Sequence, residues 1–314
     1  MVVNTLEASL VIDVLLLGNG AMKPLPDRWL SSTLVRIGRN LMLLDCGEGT
    51  QIVYRKFSWG FKQLSTIILS HCHADHVAGL PGIIFSLAEA GRTDPVHIYG
   101  PKDTIRIVQG LAVIMPYLRF DLVVHELSDG DQFDLDNGLH VTVAAGDHRN
   151  TPVLAWRFDL ARQGRFEVAI AEELGIPRDR WSLLQRGQAV EVDGRVIEPS
   201  AVLGPPRPGI SFAFNTDTRP VPAHIDIARN VDLLINEATY LNSEDQEKAA
   251  DYDHMTLNQA CTIARDAGAK RLLLTHFSGS IANPLDYTDA ARSLFPTAEI
   301  GYSGWTTTLS FSNE

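Results

Sequence analysis

The hexapeptide His71-Cys72-His73-Ala74-Asp75-His76, set directly after the apolar run Ile67-Ile68-Leu69, decides the reading of this chain. Three imidazoles and a carboxylate within six residues are hard to explain as packing, because crowded polar rings without partners carry a desolvation cost. Neutral imidazole and carboxylate are ligands that zinc accepts. The stretch therefore reads as one wall of a metal site, placed where a buried strand ends. Cys72 lies between two of the candidate ligands. Strand alternation turns its side chain away from theirs, so it reads as a buried thiol rather than a ligand or nucleophile.

Outward from this cluster, other metal-competent side chains hold the same position relative to apolar runs. Val141-Thr142-Val143 is soon followed by Asp147-His148, and Phe212-Ala213-Phe214 by Asn215-Thr216-Asp217. Leu233-Leu234-Ile235 runs into Asn236-Glu237, and Leu272-Leu273-Leu274-Thr275 into His276. Open α/β sheets gather their sites just beyond strand carboxyl ends, so one edge can collect all of these groups. Singly, His148, Asp217 or His276 is a weak signal. With the first cluster they make seven ligands, a number that suits two metals. His97, His125, His140 and His224 fall outside such segments and read as structural or surface residues.

Composition bounds the alternatives. In 314 residues, 45% are hydrophobic and 21% charged, ample for a large core, so disordered and low-complexity classes are excluded. A net charge of −11 argues against holding nucleic acid by bulk electrostatics, though not against a local basic patch. No apolar stretch approaches the ~20 residues that span a bilayer, and the first residues lack the pattern of a secretory signal. Cys46, Cys72 and Cys261 are odd in number with no C-x-x-C pairing, which points to a reducing cytoplasm. Short branched runs read as strands at 11–17, 33–37, 41–44, 66–69, 96–99, 122–125, 141–144, 211–214, 231–235 and 271–274. The clearest helix is Leu257 to Ala267, opened by Thr256 and Gln259 at capping-box spacing and stopped near Gly268. From Phe158 to Gly209 the text is broken by Gly and Pro, and from Arg157 to Arg207 eight arginines balance eight carboxylates, so the whole −11 lies elsewhere. That stretch, 158–209, reads as an inserted arm, with a loop-rich connection as the alternative.

These residues resemble a known family. His71-x-His73-x-Asp75-His76 with Ala78-Gly79-Leu80-Pro81-Gly82 is similar to the signature of metallo-β-lactamase-fold hydrolases. Leu44-Asp45-Cys46-Gly47-Glu48-Gly49-Thr50-Gln51 resembles their tRNase Z (ribonuclease Z) branch. Asp217-Thr218-Arg219-Pro220, Glu237-Ala238-Thr239 and Leu274-Thr275-His276-Phe277-Ser278 do so too. The resemblance implies a four-layer αβ/βα sandwich of the α/β (α+β) class, one domain over 1–314 made of two similar halves, with the site on one edge. It implies that His71, His73 and His148 hold one Zn2+, that Asp75, His76 and His276 hold another, and that Asp217 bridges them, with Mn2+ or Fe2+ as substitutes. Asp75 would orient the attacking hydroxide. His254 would protonate the leaving oxygen, and Glu237 would fix its tautomer. A surface histidine at a helix start is the alternative for His254, and a supporting ion pair the alternative for Glu237.

The implied activity is zinc-dependent phosphodiester cleavage, trimming the 3′ trailer of precursor tRNA, by a homodimer. The family's arm carries a Gly-Pro-rich tip where this chain has Arg178-Asp179-Arg180, and the usual Arg-Tyr after Phe277-Ser278 is absent. No ligand is lost by these departures, so they bear on substrate and leave the chemistry intact. The second reading is therefore a hydrolase of the same fold acting on a small ester, such as a cyclic nucleotide, phosphodiester, sulfate ester or lactone. Arg178, Arg180 and Arg186, near Trp181, are the candidate phosphate and base contacts, against an ordinary exposed Arg–Trp surface.

Overall fold

The computed structural model describes residues 11–312. Two seven-stranded sheets form its frame. The first half of the chain supplies β1 (Ile12–Gly18), β2 (Ser32–Ile37), β3 (Asn40–Leu44), β4 (Leu64–Ile68), β5 (Val96–Gly100) and β6 (Leu122–Glu126). The second supplies β7 (Gln132–Asp134), β8 (Leu139–Ala145), β9 (Leu154–Arg162), then β12 (Arg207–Asn215), β13 (Leu233–Glu237), β14 (Leu272–Thr275) and β15 (Ala298–Ile300). A small hairpin, β10 (Val190–Val192) and β11 (Arg195–Ile197), lies between β9 and β12 in sequence. The last strand, β16 (Thr306–Leu309), crosses to the first sheet and pairs antiparallel with β1. The strand orders are β16-β1-β2-β3-β4-β5-β6 and β15-β14-β13-β12-β9-β8-β7.

Alternation along the strands builds three apolar layers. Val14, Leu16, Trp156, Phe158, Phe212 and Ile235 fill the space between the sheets. Leu15, Leu17, Leu43 and Ile67 face outward, under the helices of the first half: α1 (Thr50–Tyr54), α2 (Ala74–Val77), α3 (Leu80–Glu89) and α4 (Thr104–Ala112). Two short helices, α5 (Val168–Glu173) and α6 (Arg178–Gln185), belong to the inserted segment. Ala213, Leu234 and Leu272 lie under the helices of the second half: α7 (Pro222–Ile227), α8 (Gln246–Asp251), α9 (Leu257–Asp266) and α10 (Thr288–Leu294). The result is the αβ/βα sandwich of the metallo-β-lactamase fold. In α9 both halves of the capping box form, the Thr256 side chain accepting from the Gln259 amide.

The inserted segment is shorter than 158–209. Phe158 and Leu160 alternate into the space between the sheets, so β9 runs to Arg162, and β12 pairs with it from Arg207 onward. What lies between has its own apolar cluster of Ala171, Ile176, Trp181, Leu184, Val190 and Val202. Trp181 is buried there, its indole N–H donating to the Ile176 carbonyl and the Arg178 guanidinium lying 5.4 Å from its ring centroid, so the ring is core and is not open for stacking on a base. Arg178 and Arg180 remain exposed beside Glu172 and Asp179. Arg186 is exposed too.

One buried residue of the frame has a consequence for acid stability. His224 of α7 is fully buried, and neither ring nitrogen has a hydrogen-bond partner among the described residues. Burial pushes its pKa down to about 4, with the Glu237 charge opposing. The unfolded ring takes its proton at the ordinary value, so this contribution is present above pH ~6.5 and is lost as pH falls toward 4. The loss approaches about 3 kcal/mol, and His224→Leu should remove that pH-dependent difference when urea midpoints at pH 7 and pH 4.5 are compared with the parent's.

Candidate metal centre

The centre forms where strands of both sheets end. β4 gives way to Leu69-Ser70-His71, then His73 in extended conformation opens α2, whose first turns carry Asp75 and His76. From the other sheet, His148 follows β8, Asp217 follows β12, and His276 follows β14. Asp217 and His276 have left-handed backbones, φ 49° and 59°, as do Asp45 at 56° and Asp253 at 55° around the same centre. Such conformations are disfavoured for residues with a Cβ, and they cluster where a sharp turn aims a side chain at a site.

Asp217 is the hub. Its Oδ2 lies 3.6 Å from His71 Nε2, 3.3 Å from His76 Nε2 and 3.9 Å from His148 Nε2, while its Oδ1 lies 3.0 Å from His276 Nε2. Two groups that could hold a metal ion share it: His71, His73, His148 and Asp217, and Asp75, His76, Asp217 and His276. These are the seven residues that the strand-end pattern and the resemblance select. Nearly all are buried, and His73 keeps the most exposure.

Donor and acceptor bookkeeping says what such a set needs. His148 Nδ1 meets the Asp253 carbonyl at 3.1 Å, so it must carry the proton. In the neutral ring its Nε2 is then a bare lone pair, and that nitrogen lies 3.3 Å from His73 Nδ1. His76 Nδ1 meets Asp45 Oδ2 at 2.6 Å, which likewise leaves Nε2 free beside His276 Nε2 at 3.2 Å. His71 Nε2 is buried without a partner among the described residues. Lone pairs converging on one carboxylate at these separations repel one another unless cations lie among them. The donor set of imidazole and carboxylate matches what zinc accepts.

Electrostatics shows which groups take up charge when no cation is present, and His76 differs from the neutral-ring bookkeeping by keeping a hydrogen on both nitrogens. Burial works to raise the Asp217 carboxyl, yet His276 and His76 hold it well below the usual carboxylate range. Burial and the charge of His76 hold His71 well below its ordinary value. Burial opposes charging His76, but Asp217, Asp45 and Asp75 raise it well above. Beside the centre, His254 Nδ1 lies 3.1 Å from Glu237 Oε1. Burial opposes its charge, but Glu237 pushes the His254 pKa up to about 9. The Asp75 carboxylate accepts the Met22 amide at 2.7 Å.

Three contributors carry no ligand spacing; two of them, Asp45 and Thr239, lie in motifs of the resemblance, which assigns them no role of their own. Asp45 accepts from the Ser70 amide, the Ser70 hydroxyl and His76. Its motif brackets α2, with Cys46 N donating to the His76 carbonyl and Gly79 N to the Cys46 carbonyl. A Cβ on Gly79 would sit 2.1 Å from the Gly47 carbonyl oxygen, which explains the small residues on both sides. The other two are Ser70 and Thr239. Cys72 points away, its Sγ 3.7 Å from Thr104 Oγ1. Arg219 pairs with Asp147 and Asp253.

Relatives match this geometry. A ribonuclease Z from Lachnoclostridium phytofermentans is 39% identical over 301 residues, covering 96% of this chain and 99% of that protein. The chain belongs to the ribonuclease Z family. A ribonuclease Z from Agathobacter rectalis is also 39% identical, over 306 residues, covering 97% of this chain and all of that one. Residues 12–151 match a family described as Anti-Pycsar protein Apyc1, and residues 198–277 match the Beta-lactamase superfamily domain. YhfI, a metallo-beta-lactamase fold protein from Bacillus subtilis, superposes with TM-score 0.69 at 20% identity, covering 95% of this chain and 99% of that one. The short form of human tRNase Z superposes with TM-score 0.66 at 24% identity, covering 95% and 100%. These two likenesses establish the fold; the family rests on the full-length relatives. Membership in the ribonuclease Z family makes the chain an enzyme, a metal-dependent hydrolase.

Cys72→Ala should leave metal uptake unchanged, because its thiol lies outside both ligand sets, whereas His71→Ala should lower it. Equilibrium dialysis followed by elemental analysis separates the two.

Proposed function

We propose that this member of the ribonuclease Z family is an endoribonuclease that removes the 3′ trailer of precursor tRNA at a centre of two Zn2+ ions. The observation that carries this reading is the Asp217 carboxylate shared by two ligand sets, with the His254–Glu237 pair beside it. His71, His73 and His148 would hold one ion, Asp75, His76 and His276 the other, and Asp217 both. When bound, such a pair supplies hydroxide near neutral pH and neutralises charge on phosphoryl oxygens.

The chain's own residues do the rest. The Met22 amide anchors Asp75 Oδ2, and the second carboxylate oxygen orients the attacking oxygen toward phosphorus. Glu237 accepts the Nδ1 hydrogen of His254, which leaves Nε2 to give a proton to the departing 3′ oxygen as its bond to phosphorus breaks. Burial of most of these groups keeps bulk water away from their electrostatics. The exposed Arg178, Arg180 and Arg186 on the inserted segment would contact phosphates of the tRNA body. Arg178 and Arg180 stand beside Glu172 and Asp179, so phosphates would have to displace those acids as partners.

We also propose that the chain acts as one domain, since β16 completes the sheet that β1 begins. A homodimer would cover the exposed Ile52, Phe85, Val113, Ile114 and Tyr117 on or near α1, α3 and α4. No helix among the described residues is long and apolar enough to cross a membrane. The free thiols Cys46, Cys72 and Cys261 fit a reducing cytoplasm.

Purified protein should trim a trailer-bearing tRNA, stop on chelation, and recover with Zn2+. His254→Ala should lower kcat by about 100-fold or more while metal content is kept. Arg178→Ala/Arg180→Ala/Arg186→Ala should raise KM for the tRNA, flatten its salt dependence, and leave turnover of a chromogenic phosphodiester unchanged. Diester turnover without any trimming would move the substrate to small phosphodiesters.

A further inference from the structure

The Thr239 hydroxyl sits among three side chains that the reaction needs. Its Oγ1 lies 2.6 Å from Glu237 Oε2, 3.0 Å from His276 Nδ1 and 3.3 Å from His254 Nδ1. A hydroxyl has one hydrogen and two lone pairs, so these contacts cannot be assigned freely. Glu237 settles the first. Its Oε1 accepts the Thr218 amide at 2.7 Å and its Oε2 the Met255 amide at 3.1 Å, both within a fully buried pocket. A carboxyl group receiving a backbone N–H on each oxygen is an ionised acceptor. The Thr239 hydrogen therefore goes to Glu237, and toward the two imidazoles Oγ1 has only lone pairs to offer.

We propose that Thr239 is a positioning residue that forces the Nδ1–H form on His276, and with Glu237 on His254, so that the Nε2 of His276 stays a bare lone pair for metal. The alternative form of His276 would be self-defeating. With hydrogen on Nε2, the ring donates to Asp217 Oδ1, 3.0 Å away, and ties the shared carboxylate to its own ligand. Thr239 makes that arrangement costly, because Nδ1 and Oγ1 would then face each other lone pair to lone pair at 3.0 Å. The first sheet carries a matching device. Ser70 Oγ donates to Asp45 Oδ2 at 2.9 Å and so can only accept from His71 Nδ1, 3.0 Å away. Each half thus sets a ligand tautomer through a carboxylate and an intervening hydroxyl. The inference deepens the metal-centre reading above and rests on it. It is tested on metal-free protein, so failure to trim tRNA and failure of the tautomer assignment remain separate results.

The experiment is nitrogen-15 histidine NMR of the metal-free protein at a pH where His276 is neutral, followed by competition for Zn2+ against a chelator. In the parent, His276 should show a protonated Nδ1 and a bare Nε2. Thr239→Val keeps the shape and removes the hydroxyl. It should shift His276 toward Nε2–H, weaken Zn2+ binding by tenfold or more, and leave the His71 signals in place. Thr239→Ser should restore both readouts. A parent His276 with hydrogen on Nε2 overturns the proposal by itself, even if the valine variant does not fold. So does a folded Thr239→Val protein with the parent's tautomer and Zn2+ affinity within twofold.

Discussion

The structure depends on one arrangement: a buried carboxylate, Asp217, faced by the bare nitrogens of imidazoles that come from both sheets. Asp217 is almost fully buried, and so are His71, His76, His148 and His276 around it. Apart from metal, that grouping is expensive, since an ionised oxygen and several unshared lone pairs are all withdrawn from water. Cations among them turn the same contacts into attraction. The frame is consistent with this requirement. Two sheets end along one edge, and their chain reversals use left-handed residues at Asp217 and His276, so that ligand atoms distant in sequence meet within 4.8 Å in each group.

Around the ligands, carboxylates decide where protons sit. Asp45 does so for His76 directly and for His71 through Ser70. Glu237 does so for His254 directly and for His276 through Thr239. His148 uses a main-chain carbonyl for the same purpose. Partners behind metal-ligating histidines orient the ring and raise its basicity, which is why their loss commonly costs metal affinity. Here the two halves of the sandwich do it in parallel ways, and the carboxylate that holds His254 also backs His276 through Thr239.

The inserted segment is organised on different terms. Its residues pack on a cluster of their own around Trp181, separate from the three layers of the sandwich. Its charged residues stay at the surface, and two of its arginines stand beside neighbouring acids. Whatever it touches, it does so without sharing its core with the metal centre, so substrate contacts can change while the hydrolytic machinery stays fixed. Arg178-Asp179-Arg180 belongs to that segment, and none of the metal-competent groups includes a residue from it.

Much of this was legible in the amino-acid order. The ligands were readable because imidazoles crowded after a strand are too costly to desolvate unless a cation shares their lone pairs, and because His148, Asp217 and His276 repeat the strand-end position. The ten apolar runs became strands, and the Thr256–Gln259 box opened its helix, since both depend on neighbours within a few residues. The short strands β7, β15 and β16 were not readable: they are edge or near-edge segments of three or four residues whose pairing, not composition, makes them strands. β9 straddles the start of the segment read as an insertion, and only its pairing with β12 showed Phe158 and Leu160 facing the core. Proton placement was equally hidden. Asp45 and His76 are 31 residues apart, and Thr239 and His276 are 37. No local spacing joins them, and only the meeting of two sheets brings donor to acceptor. Sequence alone determined which atoms can bind metal, because that is a property of side-chain chemistry; tertiary structure decided which of those atoms carry hydrogen, because that is a property of what each one faces.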